Sequence, residues 1–192
     1  KALEKIDGMF SFALWDKKNK NLTLAKDRLG EKPLYYGFNE GIFFFGSELK
    51  SFKFHPKFNP KIDRNSLALF IKYNFIPTPS SIYQGIYKLP PGSFLTISNK
   101  QQELQPKKYW DIYNTINNAD EKKSKVSESE YVEELDSLLN KTVSKQMLSD
   151  VPIGAFLSGG IDSSTIVALM QANSLKKIKT FTIGFDEFDY NE

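Results

Sequence analysis

Between residues 10 and 46 apolar and polar positions alternate in short blocks. The apolar runs at 10–15, 22–25, 34–36 and 42–45 have strand length, and polar breaks at 17–21, 30–32 and 39–41 separate them at hairpin distances. That pattern predicts an antiparallel meander. Gly8-Met9 reads as a strand entry, and Ser47 with Glu48 as the start of a short helix at the sheet edge. Behind Asp63, a good N-cap, Leu67, Phe70 and Ile71 fall near helical spacing until Pro77 and Pro79 end the run. A Pro90-Pro91-Gly92 turn then feeds a strand through Phe94, Leu95 and Ile97.

Residues 113–127 break the pattern. They are polar and lysine-rich, with Lys122, Lys123 and Lys125 clustered, and hold too little apolar surface to offset the entropy of ordering. This stretch is the expected linker between residues 1–112 and 128–192. Ser127 and Glu130 have capping-box spacing, and Val132, Leu135, Leu139, Val143 and Met147 recur at three and four residues, which predicts an amphipathic helix. A short apolar strand ending at Leu157, a Ser-Gly-Gly loop, a helix over 161–172 and a strand over 178–184 complete the pattern. Strand, loop, helix and strand make one βαβ unit, and such units place a ligand crevice at the carboxyl ends of parallel strands.

Composition narrows the chemistry. A chain of 192 residues suits one large domain or parts of two. Its net charge of +3 includes only two arginines, Arg28 and Arg64, too few for the arginine-rich stripe of a nucleic-acid binder. No apolar run approaches the roughly 20 residues of a membrane span. The absence of cysteine excludes disulfides, thiolate metal sites and a cysteine nucleophile within this span. One histidine, His55, cannot supply a zinc hydrolase with both ligands and base. No charged-then-apolar leader is visible, so a cytoplasmic protein is expected, and a start at Lys1 suggests an excerpt of a longer chain.

The chemistry concentrates in Ser158-Gly159-Gly160-Ile161-Asp162-Ser163-Ser164, where the first strand turns into the helix. A Ser-Gly-Gly turn alone can simply join strand to helix. Here two glycines let backbone approach an anion, the helix start offers unpaired amides, and the hydroxyls of Ser158, Ser163 and Ser164 add donors. The string lacks the lysine of a G-x-x-x-x-G-K-[ST] loop and the spacing of G-x-G-x-x-G. Asp162 would repel phosphate unless Mg²⁺ lay between them, an ion that takes one or two carboxylates plus phosphate oxygens.

This string resembles the pyrophosphate loop of the ATP pyrophosphatases. The approach Asp150-Val151-Pro152-Ile153-Gly154-Ala155-Phe156-Leu157 resembles that of glutamine-hydrolysing asparagine synthetases. So do Gly8-Met9-Phe10-Ser11-Phe12-Ala13-Leu14-Trp15-Asp16, Lys26-Asp27-Arg28-Leu29-Gly30-Glu31-Lys32-Pro33-Leu34-Tyr35-Tyr36, Ser47-Glu48-Leu49-Lys50 and Lys88-Leu89-Pro90-Pro91-Gly92, in the same order. The resemblance implies an α+β fragment of an N-terminal-nucleophile glutaminase, an αββα sandwich, followed by the start of an α/β, Rossmann-like parallel-sheet synthetase domain. It implies ATP and Mg²⁺, with glutamine and aspartate or another carboxylate as substrates, an acyl-adenylate, and release of AMP and pyrophosphate. A sugar acid as acceptor, or β-lactam closure, is the alternative. No nucleic-acid or membrane partner is implied, and a homodimer is compatible with it.

The resemblance also carries site residues. Leu157 and Ile183 would contact the adenosine part, Ser158, Gly159, Gly160, Asp162, Ser163 and Ser164 would bind nucleotide, and Asp162 would hold the metal. The glutaminase nucleophile is a cysteine at the mature N-terminus in this family, and this span holds none, so no catalytic residue is assigned and the span alone is expected to be inactive. Asp27 and Arg28 read as an ion pair ordering the next turn, Ser47 and Glu48 as a helix cap, and His55 as a surface residue. Asp186, Glu187 and Asp189 read as a solvated acidic loop.

Overall fold

The computed structural model describes residues 2–98, 104–120 and 127–184. Contacts divide the chain into two units, Lys1–Lys122 and Lys123–Glu192. In the first unit, β1 (Ser11–Asp16) and β2 (Asn21–Lys26) form a hairpin, as do β3 (Tyr35–Asn39) and β4 (Ile42–Gly46). The second hairpin turns on Glu40 and Gly41, both with positive φ, at 49° and 74°. Two left-handed residues in succession match the twist of the strands they join.

The two hairpins do not continue into one meander. After α1 (Leu49–Phe52) and α2 (Arg64–Tyr73), strand β5 (Ile86–Lys88) joins β3, whereas β6 (Ser93–Ser98) joins β2 and is followed by β7 (Lys107–Lys108). The sheets are therefore β1-β2-β6-β7 and β4-β3-β5, both antiparallel. The chain crosses between them after β2, and Asp27 fixes that crossing. Its carboxylate is almost fully buried and accepts from the backbone N–H of Phe10 (3.3 Å), Gly30 (2.6 Å), Glu31 (2.9 Å) and Lys32 (3.0 Å). The expected Asp27–Arg28 pair is absent. Arg28 instead donates to the Glu4 carbonyl at 2.9 Å and lies 3.8 Å from Asp7. Asp27 opens a tight turn, with Gly30 N–H donating to its carbonyl at 3.3 Å, and its carboxylate folds in over the amides of that turn while Arg28 reaches the N-terminal segment.

Period-two alternation builds the core. Leu24, Leu95 and Ile97 from the first sheet meet Tyr36 from the second, together with Leu34 and Leu89. On the far face of the second sheet, Phe44 and Ile86 pack under Phe52 of α1, with Phe58 beside them. This mixed α/β arrangement with two face-packed antiparallel sheets is consistent with the glutaminase sandwich.

Other local expectations are met or corrected by capping chemistry. Asp63 caps α2, accepting from Ser66 N–H at 2.7 Å, and Asn74 ends the helix in the left-handed region rather than Pro77. Glu48 stands at the N-cap of α1, yet neither it nor Ser47 supplies a side-chain cap. Residues 112–120, within and beside the expected linker, form α3 (Ile112–Asp120). Asp111 accepts from Tyr113 N–H at 2.8 Å at its start. Local capping thus orders an exposed helix that polar composition argues against. The remaining linker residues 121–126, with the lysine cluster, lie outside the described residues.

In the second unit, α4 (Glu128–Gln146) begins with the full capping box of Ser127 and Glu130. Strands β8 (Gly154–Phe156) and β9 (Lys179–Phe181) are parallel, and α5 (Ile161–Ala172) connects them. Both strands are shorter than the apolar pattern suggests. Helices α4 and α5 meet through Asn173, which donates to Asn140 at 3.1 Å.

Candidate functional site

The bend Ser158-Gly159-Gly160 carries the chain from β8 into α5. Gly159 has φ +84° with open space where a Cβ would stand, so its conformation rather than crowding calls for glycine. Gly160 is the N-cap, in extended conformation, and its carbonyl accepts the first helical bond from Ser164 N–H at 3.1 Å. No side chain caps α5. Helices α2 and α4, by contrast, are capped by Asp63 and Ser127. The amide end of α5 is therefore open, with the positive end of its dipole exposed at the bend.

The serines divide their work. Ser163 Oγ donates to the Gly160 carbonyl (3.1 Å), accepts from Ser158 N–H (3.3 Å) and lies 3.2 Å from Ser158 Oγ. Two of the three hydroxyls that the sequence offers as anion donors thus staple the bend into a preformed loop. Ser164 and Asp162 lie exposed in the first turn of α5. Asp162 is the only acidic residue of that turn. Among the described residues no cluster of three or more His, Cys, Asp or Glu side chains forms a metal cage. A lone carboxylate beside open amides fits a cation that brings its own phosphate and water ligands, as Mg²⁺ does.

Leu157 is half-buried at the end of β8. Its N–H donates to the Phe181 carbonyl at 2.9 Å, and its carbonyl accepts from Thr182 Oγ1 at 2.8 Å. Thr182 escapes a reading of the sequence, because a threonine after a strand looks like any other; here it ties the strand ends on either side of the bend. Ile183, two residues past the end of β9, is 71% exposed. Asp186, Glu187 and Asp189 lie outside the described residues.

The remaining candidates carry no catalytic arrangement. Glu48 pairs with Lys50 at 2.6 Å. His55 stands edge-on to Phe44, with ring centroids 5.2 Å apart, on the surface. Among the described residues, no helix is long and apolar enough to cross a membrane.

Comparison with known proteins matches both units. The Glutamine amidotransferase domain family matches residues 1–110, and the Asparagine synthase family matches residues 134–192. A putative glutamine-hydrolysing asparagine synthetase 2 of Methanocaldococcus jannaschii is 37% identical over 187 residues, covering 96% of this chain and 35% of that protein. Asparagine synthetase 3 of Bacillus subtilis, also glutamine-hydrolysing, is 35% identical over 192 residues, covering 97% of this chain and 30% of the relative. The amidase chry2 of Gibberella zeae is 29% identical over 202 residues, covering 96% and 28%. The chain spans about a third of the length of these curated relatives.

Proposed function

Because this chain belongs to the glutamine-hydrolysing asparagine synthetase family, we propose that the complete protein is an ATP-consuming, glutamine-dependent amidotransferase that converts aspartate to asparagine. In this reading residues 1–112 belong to the glutaminase domain, 113–127 link, and 128–192 begin a Rossmann-like ATP pyrophosphatase domain. The observation that carries it is the open amide end of α5 behind a stapled Ser-Gly-Gly bend between parallel strands.

The bend lacks the lysine of loops that cleave the terminal phosphate, which favours cleavage beside the ribose in this reading. The amides of the bend and of the first α5 turn favour phosphate charge, and that preference grows as charge accumulates on departing pyrophosphate. Ser163 keeps the bend shaped before nucleotide arrives, so little reorganisation accompanies binding. Asp162 would hold Mg²⁺, which when bound with ATP screens the phosphates from the carboxylate. Leu157 and Ile183, at the two strand ends, would flank the adenosine part, with Thr182 holding the Leu157 carbonyl in place. The overall products would be asparagine, glutamate, AMP and pyrophosphate.

A second reading changes only the acceptor. A relative named an amidase, matching over nearly the whole chain, favours keeping another carboxylate, such as a sugar acid, or ring closure to a β-lactam, in view. Pyrophosphate release by the full-length protein with glutamine, Mg·ATP and aspartate tests both. Release with aspartate supports the first reading, and release only with a different acid supports the second. Phosphate release in place of pyrophosphate, or no release with any acid, defeats the assignment of the bend.

A further inference from the structure

A cavity of about 350 Å³ is lined by residues of the first unit alone. Its size falls within the range of small-ligand pockets. Tyr36 and Tyr87, cross-strand partners in the second sheet, line one side. Ser93 and Lys108, cross-strand partners in the first sheet, line the other, and Pro90 and Leu104 add apolar wall. The cavity thus lies between cross-strand pairs of the two sheets and opens to solvent beside Tyr87 and Lys108, both exposed.

Its polar groups are the hydroxyls of Tyr36, Tyr87 and Ser93 and the ammonium of Lys108. Tyr36 is only 3% exposed, and its hydroxyl bonds to nothing among the described residues. Among those residues no sealed side-chain oxygen or nitrogen lacks a partner, so this oxygen opens onto the cavity that Tyr36 lines. Burial, with Tyr87 adding to it, pushes the Tyr36 phenol up to about 12, which keeps it a proton donor at neutral pH. Lys108 pairs with Asp111 and has further N–H groups to offer. No lining residue is acidic.

We propose that this inter-sheet cavity binds a small carboxylate with an aromatic or other apolar body, its oxygen accepting from the Tyr36 hydroxyl and its charge facing Lys108. An apolar body displaces water from Pro90 and Leu104, and the carboxylate accepts from the Tyr36 hydroxyl and the remaining Lys108 N–H groups. A cationic ligand of the same shape finds phenol oxygens and ring faces but must sit against the like charge of Lys108, which disfavours it relative to the carboxylate. The site is independent of the nucleotide reading, because no residue of the second unit takes part.

Ligand-observed NMR titration of the full-length protein with benzoate tests this, with benzylamine as the cationic counterpart. Benzoate should bind in the millimolar range, about −4 kcal/mol for a 1 mM dissociation constant, and benzylamine at least tenfold more weakly. Tyr36→Phe should weaken benzoate about fivefold, the loss of one hydrogen bond, while leaving thermal unfolding in place. Leu104→Trp, at the half-buried edge of the cavity, should abolish binding by filling it. No benzoate binding to the wild-type protein would overturn the proposal. So would equal binding of benzylamine, or benzoate affinity unchanged in both variants.

Discussion

At the scale of single residues, the buried carboxylate of Asp27 does more than its neighbour suggests. Burial opposes its ionisation, but N–H donors from Lys32, Glu31, Gly30 and Phe10 outweigh that and hold its pKa below the ordinary aspartate value. A depressed folded-state value stabilises the fold above the unfolded value, near 3.9, and that stability drains away as pH falls through the folded value. Asp27→Asn should therefore cost about 2 kcal/mol at neutral pH, since an amide nitrogen replaces one acceptor amid four donors. The same variant should lose less stability than wild type between about pH 4 and 2, and urea unfolding across that range measures both effects. An unchanged acid limb would remove Asp27 from the account. The sequence shows Asp27 in a loop beside Arg28 but cannot show which way either side chain points, and that is why an adjacent pair looks like a salt bridge. Gly159 is more legible, because a left-handed φ in a turn demands what glycine supplies. Gly159→Val should strain the bend and reduce pyrophosphate release at least tenfold, with little change in the melting of the first unit; equal activity would show that the bend tolerates a branched residue.

Secondary-structure elements were readable where the chain carries its own punctuation. Asp63 and Ser127 announce α2 and α4, and the glycines announce the start of α5, so those helices follow from local chemistry. Strands β5 and β7 are three and two residues long, too short to show a period, and they exist because longer strands offer them an edge. Pairing partners are likewise a non-local choice, and alternation in β2 and β3 cannot say that they belong to different sheets. The contrast between capped and uncapped helices yields a prediction in two directions. A Cβ at Gly160 would meet only Ser158 Oγ, at 3.8 Å, so Gly160→Asp is sterically admissible. It should give α5 the cap it lacks, adding a few tenths of a kcal/mol, because aspartate outranks glycine only slightly at that position. It should also place a carboxylate where phosphate is proposed to sit and cut pyrophosphate release at least tenfold. Stability and activity rising together would contradict the role assigned to the open amides. Ser127→Ala, by comparison, should lower stability by about 1 kcal/mol through loss of an occupied cap and leave nucleotide affinity alone, as measured by thermal unfolding and ATP titration.

Across the whole molecule, apolar burial is distributed unevenly. The first unit holds both hydrophobic clusters, with Leu24 and Leu89 fully sealed. In the second unit, Val143 and Met170 are the buried apolar side chains among the described residues, while Phe156 and Ile161 are 75% and 85% exposed and every residue of β9 is exposed. Local opening is governed by how much apolar contact an element gives up, so the two units should differ in hydrogen exchange. In the 192-residue chain, amides of β2 and β6 should exchange slowly, near the global unfolding limit, and those of α5 and β9 close to the unprotected rate. The relatives are about three times as long as this span, and in the function proposed above these same elements lie inside a larger synthetase. Exposed Phe156, Ile161 and Phe181 would then be covered by further chain, which would also rigidify the bend that they flank. Protection of α5 and β9 should accordingly rise at least tenfold in the full-length protein, while β2 and β6 change much less. Comparison of the two by exchange mass spectrometry decides it: equal, low protection of α5 in both would mean that the exposed apolar face is native to this unit and that the bend has no support from the rest of the protein.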